Sequence, residues 1–265
     1  MNIWTQKSID LATQSNYLDL LYRIYPMSVN LRRELTQSTQ DEIRKHLDNK
    51  DGKKLLDILL KQEIFPIKDS YVAYLKRDKT AINRNPATVS RLSGMLIEMG
   101  FDEILNKTTV PKETNRQIGP LFKKWISNGA LGVPVTDDID CFLQYQDNIV
   151  FNASDKVMEN FAKTHLGYQH NKGLDFIAKF NQTIIIGEAK FLTDFGGHQN
   201  AQFNDAIATM KAPLKASKYK VKTIAILDGV LYISGKNKMF SELKNFSDDQ
   251  VIITAVLLRD YLFSV

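Results

Sequence analysis

Asp175, Glu188 and Lys190 form the pattern Asp-x12-Glu-x-Lys, inside a stretch from Gly173 to Phe191 that otherwise consists of two apolar runs joined by Asn181-Gln182. Successive strand residues point to opposite faces, so Glu188 and Lys190 share one face while Gly187, Ala189 and Phe191 share the other. If Asn181 and Gln182 are the central pair of a two-residue hairpin, Phe180 faces Thr183 and Asp175 comes to lie opposite Glu188. Directly opposed side chains sit roughly 4.5–5.5 Å apart at Cβ, where like charges are destabilising. A divalent cation is the natural compensation. Mg²⁺ prefers oxygen, keeps several waters and is held by one or two carboxylates plus phosphate oxygens. Asp175 and Glu188 are therefore candidate metal ligands, and the backbone carbonyl of Ala189, between the two functional side chains, is a further one. Such an ion polarises a phosphoryl oxygen and acidifies its bound water. Lys190 is placed to orient that water or to stabilise charge developing on a phosphorane.

Charge distribution suggests what such a site acts on. The 265 residues carry a net charge of +5, with 21 Lys and Arg against 15 Asp and Glu in residues 1–130, and 14 against 15 in residues 131–265. A basic half beside an acidic, metal-ready site suits a polyanion such as nucleic acid. A solvated helical surface is the competing reading of the same excess. Candidate DNA contacts in the basic half are Arg91, Arg116, Lys123 and Lys124, with Arg84 as a further cation. The amide-rich run after Gly196-Gly197 adds Gln199, Asn200 and Gln202, which could equally cap the sheet. Glu159, on the helix expected before the hairpin, is a possible additional acid. The single cysteine, Cys141, excludes an intrachain disulfide and a Cys-rich zinc site, and is expected to be a small buried residue. The four histidines lack metalloprotease spacing. An apolar fraction of 43% and a charged fraction of 25% are those of an ordinary globular protein. The longest aliphatic stretch, from Val251 to Leu258, falls far short of the ~20 residues of a membrane helix. The N-terminus shows no basic segment followed by an apolar one, so a cytoplasmic protein is expected.

The elements that must position these residues change character along the chain. Residues 1–130 show apolar positions at helical spacing, as in Leu11, Leu18, Leu21 and Ile24. Asn85-Pro86 is a strong helix start, and that helix is expected to end at Gly100 before a short helix over residues 102–106. Another helix is expected over residues 111–125, kinked near Gly119-Pro120. Glycines and a proline between Asn128 and Pro134 mark the expected boundary, which divides a basic helical subdomain, residues 1–130, from a second domain, residues 131–265. In the second, residues 140–145 and 148–151 read as short strands, and Ser154 as the cap of a helix reaching about Leu166. The hairpin follows, then a polar helix over residues 198–211, then strands over 222–227 and 251–258. This is a mixed α/β (α+β) pattern, a compact mixed sheet flanked by helices.

The arrangement Asp175, Glu188, Lys190 resembles the core signature of the PD-(D/E)XK nuclease superfamily, specifically type II restriction endonucleases, with Leu174 where the signature has proline. Flanking segments share the likeness: Phe151-Asn152-Ala153-Ser154-Asp155, Lys172-Gly173-Leu174-Asp175-Phe176, and Gly187-Glu188-Ala189-Lys190-Phe191 running into Gly196-Gly197-His198-Gln199-Asn200. The resemblance implies a restriction-endonuclease-like mixed sheet carrying the nuclease core in residues 131–265, Mg²⁺ on the two acids, and Lys190 beside the attacking water or scissile phosphate. It implies sequence-specific hydrolysis of double-stranded DNA to a 5′-phosphate in a prokaryotic restriction-modification system. A cognate DNA methyltransferase is the expected companion, and a homodimer is expected because two antiparallel strands must be cut. A structure-specific repair or junction nuclease, and a non-catalytic nucleic-acid-binding protein on the same sheet, are the alternative functions.

Overall fold

The computed structural model describes residues 1–27, 32–111, 114–235 and 237–265, and residues 114–116 by their backbone alone. The chain divides into two compact units, Met1–Met27 together with Thr114–Val265, and Ser28–Glu113. The division differs from the boundary expected at residue 130. Helices α1 (Ile3–Ala12) and α2 (Tyr17–Ile24) belong to the first unit because their apolar faces, Tyr17, Leu21 and Ile24 among them, pack into the core of the sheet.

The second unit is helical, with α3 (Gln37–Asp48), α4 (Gly52–Leu60), α5 (Ser70–Arg77), α6 (Ala81–Arg84) and α7 (Pro86–Thr108) closed around Leu55, Leu56, Leu59, Leu92, Leu96 and Ile104. Thr36, Asp51 and Asp69 cap α3, α4 and α5 by accepting hydrogen bonds from backbone N–H groups of the first turn. Pro86 opens α7, and Gly100 breaks it with φ 71°, at the position where the sequence places the helix end.

The first unit continues with α8 (Thr114–Ser127), α9 (Ile139–Gln144), α10 (Asp155–His165), α11 (Gly197–Met210), α12 (Lys238–Leu243) and α13 (Leu258–Ser264). Its strands are β1 (Val135–Thr136), β2 (Ile149–Phe151), β3 (Phe176–Phe180), β4 (Thr183–Leu192), β5 (Lys220–Gly229) and β6 (Val251–Ile253), adjacent in that order in one mixed sheet. The β3–β4 hairpin is antiparallel, and β4, β5 and β6 run parallel. Alternate residues are buried on both faces. Ile177, Ile184 and Ile186 pack with Met158 and Phe161 of α10, whereas Phe176, Ala178, Ile185 and Ala189 pack in the cluster that holds Phe122 and Ile126 of α8. Burial on both faces explains why these strands read as nearly continuous apolar runs.

Two expected strands take other forms. Residues 140–145 lie almost wholly in α9, because Asp138 accepts from the Cys141 N–H as an N-cap and Lys179, buried on β3, donates to the carbonyls of Phe142 (3.0 Å) and Tyr145 at the helix's other end. Cys141 on this helix is exposed, not buried as expected. The run from Val251 is a strand only to Ile253. Thr254 then caps a turn of 3₁₀ helix, Ala255–Leu257, which leads into α13.

Gly187 sits where β4 meets β5 most closely. A Cβ there would lie 2.7 Å from the carbonyl oxygen and 3.0 Å from Cγ1 of its partner Ile224. Gly187→Ala is expected to force the strands apart and lower stability by about 1–3 kcal/mol, read by chemical denaturation. Unchanged stability would show that the β4–β5 spacing is not limited by this contact.

Candidate active site

The turn that sets the register contains no glycine. Asn181 and Gln182 both take positive φ, 47° and 63°, as the I′ hairpin turn requires. Neighbouring segments hold them there. The Asn181 N–H donates to Asn148 Oδ1 (2.9 Å), Asn181 Nδ2 to the Val265 carbonyl (3.0 Å), and Gln182 Nε2 to the Gln146 carbonyl (2.9 Å). Phe180 pairs with Thr183 and Phe176 with Gly187. Asp175 stands one residue beyond the ladder, its N–H donated to the Gly187 carbonyl at 3.1 Å. In that position its carboxylate reaches across the strand end, and Oδ2 accepts from the Ala189 N–H at 3.0 Å.

Glu188 and Asp175 meet through Lys190. The Lys190 Nζ lies 2.7 Å from Glu188 Oε1 and 3.3 Å from Asp175 Oδ2. Glu188 is buried, at 3% exposure, and its other oxygen, Oε2, accepts from Thr209 Oγ1 of α11 at 2.7 Å. Burial pushes the Asp175 carboxyl above its usual range, and the Lys190 ammonium and the Ala189 N–H offset this only in part. For Lys190, burial works against the charged form, but the carboxylates of Asp175 and Glu188 outweigh it and hold its pKa above the ordinary lysine value. As it stands, then, this lysine is a charge donor and not a proton acceptor. Asp175, Ala189, Lys190 and Phe191 form one wall of a cleft of about 230 Å³, bounded by Ile118, Gly119 and Pro120 of α8 and Gln202 of α11.

The donor set fits a hard divalent ion: two carboxylates converge on one point, at which the only counter-charge within bonding distance of both, among the described residues, is the Lys190 ammonium. Among the described residues no group of three or more His, Cys, Asp and Glu forms a metal cluster. A cation that completes its shell with water and phosphate oxygens does not need one.

The remaining sequence candidates are scattered. Glu159 makes ion pairs with Lys156 (3.3 Å) and Lys163 (2.5 Å) on its own helix, which lower its pKa, and it shares no hydrogen bond with the central three residues. Arg91 is paired with Asp69 at 2.7 Å and Arg84 with Asp78 at 2.6 Å. Lys123 donates to the Ala153 carbonyl (2.9 Å) and to Asp155, which ties α8 to the start of α10. The Arg116 side chain lies outside the described residues. Lys124 is exposed, one turn along α8 from Pro120. Gln199 is buried and accepts from the Thr193 N–H at 3.2 Å, and Asn200 donates to the carbonyls of Phe195 (2.9 Å) and Gly196 (3.1 Å), so both brace the loop between β4 and α11. Gln202 alone of the three amides lines the cleft.

Two residues that sequence reasoning missed touch Glu188. Thr209 is one, and Lys172 is the other, 3.6 Å from Glu188 Oε1 and 2.6 Å from Asp205 Oδ2 on α11. Neither lies within the signature, and a threonine near a helix C-terminus carries no sequence mark of what it faces. A protein-family model described as Tsp45I type II restriction enzyme matches residues 2–265. No curated protein and no solved structure matches the chain.

A second buried acid closes the sheet behind the cleft. Asp228, at the end of β5, is fully buried and accepts from Tyr25 Oη (2.8 Å), Tyr17 Oη (3.4 Å), the Ala255 N–H (3.3 Å) and the Thr254 hydroxyl, which joins α2 and the turn after β6 to the sheet. Burial pushes its carboxyl from 3.8 up to about 6, although the hydroxyl donors pull the other way. Between those values the folded state keeps a proton that the unfolded chain has lost. This group's contribution is therefore fully present below about pH 4 and is lost as the pH rises through about 6, with a total of ~3 kcal/mol. Denaturation of wild type and Asp228→Asn from pH 4 to pH 7 is expected to show wild type losing stability relative to the variant over that range. A difference independent of pH would contradict the raised pKa.

Proposed function

Because the chain belongs to the Tsp45I type II restriction enzyme family and is therefore a site-specific deoxyribonuclease, we propose that Asp175, Glu188 and Lys190 are the residues that hydrolyse the DNA backbone. The observation that carries this reading is the Lys190 ammonium, in the wall of a cleft, held between two carboxylates, one of them nearly wholly buried. Buried acids arranged around a single cationic point are costly for a fold and useful for phosphoryl chemistry. The same arrangement supports placing the site in the PD-(D/E)XK superfamily. Family membership as a restriction enzyme leaves no place for the alternatives of a repair or junction nuclease and a non-catalytic binding protein.

Asp175 and Glu188 hold Mg²⁺ through their carboxylates, with the Ala189 carbonyl as a further ligand. When bound, the ion supplies Lewis acidity at the phosphoryl oxygen and a more acidic water. The Lys190 ammonium, in the wall of the cleft, is placed to stabilise the charge that builds on the scissile phosphate as water attacks. The bond from phosphorus to the 3′-oxygen breaks, the attacking water's oxygen stays on the 5′-phosphate, and a proton ends on the 3′-hydroxyl. Ile118, Gly119 and Pro120 narrow the cleft on one side and limit the water that reaches it. Gln202 and Lys124 are the DNA contacts best placed by exposure and position, whereas Arg91 and Lys123 must first leave their aspartates. Glu159 contributes at most indirectly. Two strands of opposite polarity call for two such sites, as a homodimer provides. The companion activity in the prokaryotic cytoplasm is a methyltransferase of the same specificity.

Asp175→Ala, Glu188→Ala and Lys190→Ala are each expected to lower plasmid cleavage in Mg²⁺ by about 10²-fold or more, with folding intact by circular dichroism and DNA binding retained in a gel shift. Chelation with EDTA should abolish wild-type cleavage and added Mg²⁺ restore it. Wild-type activity in any of the three variants would overturn the assignment.

A further inference from the structure

Glu188 is nearly encased, and its two oxygens have different company. Oε1 is turned to the ammonium groups of Lys190 (2.7 Å) and Lys172 (3.6 Å), whereas Oε2 accepts from the Thr209 hydroxyl at 2.7 Å. Thr209 is itself fully buried. A helical threonine commonly bonds its hydroxyl back to the carbonyl four residues earlier. Here the hydroxyl is given to a carboxylate on the neighbouring strand instead. The end of the helix is pinned to the sheet, because the Thr223 hydroxyl of β5 donates to the Met210 carbonyl at 2.5 Å. Asp205, one turn before Thr209 and on the same face of α11, holds Lys172 beside the same carboxylate. The fully buried Tyr168, whose pKa burial pushes up to about 12 while Thr209 beside its hydroxyl pulls the other way, gives Glu188 no hydrogen bond, so Thr209 makes the only neutral side-chain hydrogen bond to Glu188 among the described residues.

We propose that Thr209 is a positioning residue for the divalent cation: by fixing Oε2, its hydroxyl locks the rotation of the Glu188 carboxylate and keeps Oε1 turned to the point where Lys190 joins it to Asp175. The proposal rests on the reading that Glu188 holds the ion. A bond to the outer oxygen of a metal-binding carboxylate orients it and sets its affinity, and loss of such a partner typically lowers metal affinity by about 10- to 100-fold. Valine matches threonine in shape and removes only the donor, while serine keeps the hydroxyl.

Isothermal titration of Mg²⁺ into the full chain, paired with plasmid cleavage across a range of Mg²⁺ concentrations, tests this in wild type, Thr209→Val, Thr209→Ser and Glu188→Gln. The expected result is an affinity about 10-fold weaker in Thr209→Val, a half-saturating Mg²⁺ for cleavage raised in parallel, a cleavage rate at saturating Mg²⁺ close to wild type, and recovery of both binding and half-saturation in Thr209→Ser. If Glu188→Gln loses Mg²⁺ binding while Thr209→Val binds as wild type does, Thr209 has no positioning role and the metal reading of Glu188 stands. If Glu188→Gln binds Mg²⁺ as wild type does, the metal reading itself fails, and the role of Thr209 with it. A fall in the saturating rate alone, at unchanged affinity, also overturns the proposal.

Discussion

Two carboxylates drawn out of water on neighbouring strands need a positive charge between them. In this protein that charge is the Lys190 ammonium, bonded to both Asp175 and Glu188. Removing ions from water costs several kcal/mol each, and only close pairing with further hydrogen bonds offsets it. Those further bonds are present, the Ala189 N–H on Asp175 and the Thr209 hydroxyl on Glu188, and the Lys172 ammonium adds an ion pair to Glu188 at 3.6 Å. The cluster is neutralised but not satisfied in the way a structural ion pair on a surface is. Asp175 and Lys190 line a cleft, and that position is what the proposed nuclease centre rests on.

Everything that brings these groups together follows from the register of the β3–β4 hairpin. A slip of one residue would turn Glu188 and Lys190 to the opposite face, and three constraints prevent it. The turn at Asn181-Gln182 is held at positive φ by hydrogen bonds that it donates to Asn148, Gln146 and Val265. Both faces of the hairpin are buried, so the isoleucines of β4 fit only one way. Gly187 admits the backbone of β5 at a distance no side chain would allow. Helix α11 then covers Glu188, α8 borders the cleft, and the buried Asp228 network ties α2 and the turn after β6 to the end of the sheet.

Sequence made the centre of this arrangement legible, because strand alternation is a strict geometric rule. Asp175, Glu188 and Lys190 are together where the alternation puts them. The turn was the weak point of that reading, since Asn181-Gln182 lacks the usual glycine, and the tertiary bonds that replace it connect segments 33 to 84 residues apart. The helices that start at Asn85-Pro86 and after Ser154 were also readable, although neither Asn85 nor Ser154 makes a side-chain capping bond. Residues 140–145 were misread as a strand because short apolar runs carry no period, and the deciding partner, Lys179, lies on another element. Helical spacing does not say which core a helix joins, which is why the boundary expected at residue 130 differs from the division into Met1–Met27 with Thr114–Val265 and Ser28–Glu113. Surface cations were the least legible: Arg91 and Lys123 are tied to aspartates distant in sequence, and net charge cannot show that.

The family match covers nearly the whole chain and identifies a restriction enzyme. Which atoms cut DNA is the claim that follows from the geometry. Anomalous diffraction from crystals of the protein with its DNA site and Mn²⁺ in place of Mg²⁺ tests it most directly. The expected result is a manganese peak coordinated by carboxylate oxygens of both Asp175 and Glu188 and by an oxygen of the scissile phosphate, with the Lys190 Nζ moved from the acids to that phosphate. Manganese bound at the scissile phosphate through other residues, with Lys190 still bridging its two carboxylates, would contradict it.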